Sequence, residues 1–286
     1  MRVIVFIAFI TAVQSARILG LFAHTGKSHH MVFEPLLKKL ATKHEVTVAS
    51  FFPQKIPIAN YTEISLKGLA SPGLNSFDLS TIKKPSIVTK IPIVGDVVKL
   101  LTLPTSLPNV VDICDKICKL PALVDALQKT YDVVIVETFV SDCMLGLMHV
   151  HGINAPVVGL SSTSPFPWAN NRVGLMNNPS FMPFILTGMS TQMTFRERMA
   201  NTLYYGIANL IYYIQDKQRL VIEKHYNMPV PLYDLSFNLT MILLNTFHTL
   251  NGVKYQVPGL VEVGGMHLDH RHQRLPGVSI QKLLCY

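Results

Sequence analysis

Apolar positions in the first half of the chain come in two rhythms. Short solid runs are bounded by turn residues: Ile18–Ala23, Glu45–Ser50, Val133–Val136 and Pro156–Leu160. Such runs predict strands buried on both faces, as in a parallel sheet. Between them lie stretches with helical spacing. The stretch His30–Thr42 predicts a helix that turns Met31, Pro35, Leu36 and Leu40 toward the sheet, with Pro35 awkward beyond a first helical turn. A second helix is predicted over about Asp142–His151. Pro85, Pro92, Pro104 and Pro108 break the intervening stretch into loops and short helices. The strand–helix–strand rhythm predicts an open, mostly parallel α/β sheet of Rossmann-like type with right-handed crossovers.

The second half is less regular. Ser161–Asn201 is rich in Pro, Asn and Met and reads as loops and short helices. Met199, Leu203, Ile207, Leu210 and Ile214 recur at helical spacing, and the helix runs on to about His225. Leu239–Leu244 predicts another buried strand, and residues 264–286 read as the start of a linker. There is no internal repeat.

Composition sharpens this picture. The 286 residues are 49% hydrophobic and only 15% charged, with a formal net charge of +8. Ordinary soluble domains carry about 25% charged residues, so a disordered chain is excluded and a membrane-facing or partner-covered surface is favoured. Residues 1–15 read as a secretory signal. Arg2 precedes the apolar run Val3–Val13, and Val13 and Ser15 are small enough for a cleavage site. The mature domain would then begin at residue 16, in an oxidising lumen. Asn60-Tyr61-Thr62 and Asn238-Leu239-Thr240 are glycosylation sequons, with Asn60 in the more polar loop. Of Cys114, Cys118, Cys143 and Cys285, the first two stand one helical turn apart, too far for a bridge without distortion. No disulfide framework is expected. No later run reaches the roughly 20 apolar residues of a membrane span, so no anchor is expected. Leu203–Ile214, rich in Tyr, suits either a bilayer interface or the core. Lys and Arg are spread along the chain without the cluster that a nucleic acid needs, and the excess suits weak attraction to anionic lipid.

Two loops beyond strand ends carry candidate chemistry. Gly26-Lys27-Ser28 imitates the end of a phosphate loop, but the glycine required five residues earlier falls on Leu21, with Gly20 one place off. His29, at a helix start, suits a general base that takes a proton from an attacking hydroxyl. A carboxylate would orient its imidazole, and both Glu137 and Asp142 could do so. Against this stands a histidine that merely caps a helix. His267, Asp269, His270 and His272 have metal-ligand chemistry but sit in a polar linker stretch without visible supporting residues, so no metal is expected.

Several segments resemble the amino-terminal half of animal UDP-glycosyltransferases, closest to the insect type. They are Arg17-Ile-Leu-Gly-Leu-Phe22, Ser28-His29, His44-Glu45-Val46-Thr47-Val48 and Tyr131-Asp132-Val133 through Glu137. Pro165-Phe166-Pro167-Trp168, Asn178 to Pro183 and Pro258 to Gly265 continue the likeness. The resemblance implies a two-domain GT-B glycosyltransferase of the endoplasmic reticulum. Its first domain, here 16–263, would bind a small lipophilic acceptor, with Phe166 and Trp168 at the acceptor. A second domain would bind the UDP-sugar, the co-substrate, with no further cofactor and no metal. The family's catalytic histidine falls on His29. Its partner aspartate falls on Glu137, a departure that leaves Asp142 as the other choice, and His30 stands where many members have an aromatic residue. Inverting transfer of glucose or glucuronic acid is implied. No donor-binding signature occurs in these residues, so the chain alone is expected not to transfer sugar at a useful rate. The alternative is a non-catalytic lipophile- or partner-binding module, or an oligomer with longer relatives.

Overall fold

A computed structural model describes residues 15–70, 110–139, 142–215, 217–252 and 255–268. Most of the predicted leader, the Pro85–Pro108 loops, Asp269, His270, His272, Cys285 and most of the predicted linker lie outside the described residues.

Among the described residues, seven strands form one parallel sheet. In chain order they are β1 (Arg17–Phe22), β2 (Glu45–Ser50), β3 (Tyr61–Ser65), β4 (Val133–Glu137), β5 (Val157–Ser161), β6 (Met241–Leu244) and β7 (Leu260–Glu262). Their order across the sheet is β3-β2-β1-β4-β5-β6-β7, every pair parallel. This is the open Rossmann-like α/β class that the rhythm of the chain predicts. The edge strands β3 and β7 were not foreseen. Both are short and partly exposed, so they lack the solid apolar run that marks a central strand.

Strand alternation divides the core. Ile18 and Phe22 of β1 and Ile135 of β4 pack under helix α1 (Lys27–Ala41). Leu19, Leu21, Val134 and Val136 face the other way, toward α2 (Val110–Cys118), α3 (Pro121–Leu127) and α4 (Cys143–Val150). The handedness of crossovers produces this split. The chain winds from β1 outward to β3, then restarts at β4 and winds the opposite way, which puts α1 and α4 on opposite faces.

Two expectations need correction. Helix α1 starts at Lys27 and buries His30, Phe33, Leu37 and Ala41, while Met31 is exposed and Leu36 and Leu40 are half-buried. The packed stripe is therefore offset from the predicted one, and Pro35 stands inside the helix. The helix predicted to run on to about His225 is helical in its described residues over α6 (Phe195–Gln215) and α7 (Lys217–Tyr226), following the short α5 (Pro167–Asn171). On α6, Ala200, Tyr204, Tyr205 and Ala208 are buried, whereas Phe195, Met199, Leu203, Leu210 and Tyr213 form an exposed stripe. One face of this helix is thus part of the core and the other is exposed. Second, Cys114 and Cys143 form a disulfide with Cα atoms 5.8 Å apart. It ties α2 to the first residue of α4 and leaves Cys118 free and buried. The helical-turn argument excluded only the Cys114–Cys118 pair, because it compared near neighbours in sequence. Helices α8 (Leu232–Ser236) and α9 (His248–Asn251) flank β6.

Candidate active site

The strand order reverses between β1 and β4, and a crevice opens beyond the carboxyl ends of such strands. The loop after β1 and the start of α1 bring His24 and His29 there, and the end of β4 brings Glu137. Two periodicities aim His29 and Glu137 at each other. Side chains alternate along a strand, so Glu137 shares the α1 face with Ile135. On α1, His29 lies one turn before Phe33, in the stripe that meets the sheet.

His29 Nδ1 and Glu137 Oε1 are 2.5 Å apart. The Glu137 side chain is 2% exposed and that of His29 is 19% exposed, so the acid is sealed in and the imidazole reaches solvent. Burial raises the Glu137 pKa, partly offset by the hydrogen bond and charge of His29. A carboxylate on Nδ1 holds the ring's proton there and leaves Nε2 as an acceptor.

His24 stacks on His29 with centroids 4.1 Å apart. Its Nδ1 accepts the Gly26 N–H at 3.0 Å. A Cβ on Gly26 would come within 2.5 Å of the His24 ring, so this fold-back needs glycine. Burial first, then the charge of His29, lower the His24 pKa to about 3. His24 is thus a neutral plate beside the His29 ring. Phe139 closes the group, 5.1 Å from His24 and 5.2 Å from His29. From Phe139 a series of rings continues to Phe166 (5.1 Å) and Trp168 (4.6 Å). His30 lies against Phe22 and Phe52, in the aromatic role implied for its position.

Asp142 lies elsewhere. It heads α4 on the opposite face, and its carboxylate accepts two hydrogen bonds from Arg172 Nη2, at 2.8 and 2.6 Å, and one from the Tyr212 hydroxyl at 2.7 Å. Burial opposes the Arg172 charge, yet Asp142 and Tyr212 outweigh it and raise the pKa. Burial and then Asp142 push Tyr212 up to about 12. The structure therefore brings His29 together with Glu137 and not with Asp142. Asn60 and Asn238 are both exposed, Asn60 with φ 57°.

Two groups among the described residues have ligand atoms close enough to share a metal ion: Cys114, Cys118 and Cys143, and His24, His29 and Glu137. In the first, two sulfurs are joined to each other. In the second, one nitrogen of each ring is engaged and the rings lie near parallel, so their in-plane lone pairs run side by side.

His24, Phe139, Arg172 and Tyr212 escaped the sequence reading as site residues. His24 stands two residues before Gly26, but stacking has no sequence signal. Arg172 and Tyr212 are 30 and 70 residues from Asp142.

Residues 81–277 match the family described as UDP-glucoronosyl and UDP-glucosyl transferase. The chain belongs to that family of transferases. It is 30% identical over 278 residues to UDP-glucosyltransferase 2 of Dactylopius coccus, covering 94% of this chain and 50% of that protein. It is 31% identical over 271 residues to UDP-glycosyltransferase UGT5 of the same insect, covering 91% and 49%. The chain thus spans about half the length of the curated relatives it matches. Among solved structures, a calicheamicin glycosyltransferase is similar at 12% identity, covering 88% of this chain and 53% of that one, with a TM-score of 0.38.

Proposed function

We propose that this chain forms the acceptor-binding part of an inverting UDP-sugar transferase, with His29 as general base and Glu137 as its orienting partner. The 2.5 Å contact at the switch point of the sheet carries the reading. The acceptor hydroxyl gives its proton to His29 Nε2 while its oxygen bonds to the anomeric carbon. The bond from that carbon to the diphosphate breaks, and UDP departs with the electron pair from the opposite face. Glu137 stabilises the imidazolium that forms. Phe139 and Phe166, beside His29, suit a lipophilic acceptor. The names of the relatives support glucose or glucuronic acid as the sugar. We place the protein in the lumen of the endoplasmic reticulum or in secretion, with glycans at Asn60 and Asn238. The exposed stripe on α6 supports contact with a membrane surface. Among the described residues, no helix is long and apolar enough to cross a membrane.

The test measures transfer from UDP-glucose and UDP-glucuronic acid to a phenol. It uses the chain alone and the chain joined to the carboxyl-terminal half of UDP-glucosyltransferase 2. Transfer by the joined form should give the inverted anomer and fall by about 10²–10⁴-fold in His29→Ala. Unchanged turnover in that variant would sink the assignment. Phenol binding that survives His29→Ala, with no transfer by either form, would favour the lipophile-binding module.

A further inference from the structure

A cavity of about 560 Å³ opens between α5, α6, α8 and the start of α4. Trp168, Tyr212, Tyr233, Phe237, Asn209 and Asp142 line it, and His24, His29, Glu137 and Phe139 do not. The stacked rings of Phe166 and Trp168 stand between the two places, and the far face of Trp168 stacks on Tyr212 at 5.6 Å. A molecule filling this space would not present its hydroxyl to His29 without displacing that stack.

The volume lies in the range of sites that enclose drug-sized molecules. Its charge is settled internally, because the Asp142 carboxylate is held by Arg172 and Tyr212. An anion would meet the Asp142 oxygens, and a cation would compete with a guanidinium already bound in place. The walls are otherwise Leu232 and aromatic rings, with Asn171, Asn209, Ser236 and the Tyr233 hydroxyl as polar groups. The mouth is rimmed by exposed Tyr213, Tyr233 and Phe237, and Tyr213 continues into the exposed apolar stripe of α6. An apolar molecule therefore meets an apolar approach.

We propose that this cavity is a second ligand site, for an uncharged lipophilic ring compound with one hydrogen-bonding group, separate from the His29 crevice. The proposal does not depend on sugar transfer.

Trp168 is the single tryptophan of the chain, so its fluorescence reports on this wall, and His29→Ala distinguishes a ligand that sits in the crevice instead. The full chain is titrated with menthol, an alicyclic alcohol that does not absorb at the excitation wavelength, and with cyclohexanecarboxylate. Menthol should give a saturable change in Trp168 emission, and the carboxylate should bind at least roughly tenfold more weakly. Asn209→Arg, at an exposed helical position that tolerates arginine, should weaken menthol binding by at least about tenfold. Phe237→Glu, on the other wall, should do the same if the first variant fails to fold, with circular dichroism as the check. His29→Ala should leave the affinity within about twofold. The proposal is overturned by no saturable change in the unaltered chain, or by equal binding of the carboxylate. It is equally overturned if the folded cavity variants bind unchanged, or if His29→Ala abolishes binding, which would move the ligand to the crevice.

Discussion

Two acidic residues five positions apart, Glu137 and Asp142, leave the same strand end and meet opposite fates. Both are buried. Asp142 faces a permanent cation and a phenol that settle its charge within the fold. Glu137 faces an imidazole whose other side opens outward. A carboxylate neutralised by a guanidinium can only hold structure together. One that leans on an imidazole can pass the effect of its charge to a reacting proton. The region around Asp142 should therefore govern stability, and the region around Glu137 should govern chemistry.

The sharpest break in that contrast would come from Arg172→Leu. It strands a buried carboxylate and should cost about 3–5 kcal/mol of unfolding free energy, measured by denaturant titration. The paired change Arg172→Leu with Asp142→Leu should recover most of the loss, because no charge then remains uncompensated. If the single change is silent, the network is not structural.

The disulfide beside Asp142 belongs to the same stability region. Its partners are 29 residues apart, and removing it by Cys114→Ala with Cys143→Ala should cost about 3–4 kcal/mol through the loop it closes in the unfolded chain. A loss of that size at unchanged phenol binding would separate the two regions cleanly.

On the His29 side the expected effects are titrations. His24 has a folded pKa of about 3 against 6.5 in the unfolded chain. Above pH 6.5 both states are neutral and the group has no effect. As the pH falls from 6.5 toward 3, only the unfolded chain gains the proton, so stability drops by roughly 1.4 kcal/mol per pH unit. His24→Phe should flatten that acid limb in urea titrations at stepped pH, and an unchanged limb would show that His24 is not held neutral.

The smallest effect concerns His30. It is buried, its pKa is lowered chiefly by burial, and it makes only ring packing among the described contacts. His30→Phe should stabilise the fold by about 1 kcal/mol and leave proton transfer by His29 untouched.

Much of this was legible early. Mostly apolar runs marked five of the seven described strands, because a strand covered on both faces has little room for polar side chains. The pairing of His29 with Glu137 was within reach as well. Alternation from Ile135 already assigns Glu137 to the face of α1, and the reversal of winding sends Asp142 to the other face. That inference needs the strand order across the sheet, which the run of residues does not display. The offset of the α1 stripe has a related origin, since the helix starts at Lys27 without a capping side chain.

The residue order by itself determined the parallel α/β architecture, the histidine at the mouth of its first helix and the family, because periodicity and motif order are local properties. The tertiary structure alone decided which acid meets His29, that Cys114 bonds Cys143, that His24 is a buried neutral plate, and that a cavity lies behind Trp168. Each of these depends on groups far apart in the chain. Such groups are brought within a few ångströms only by the direction in which the sheet winds and by the packing of helices on its two faces.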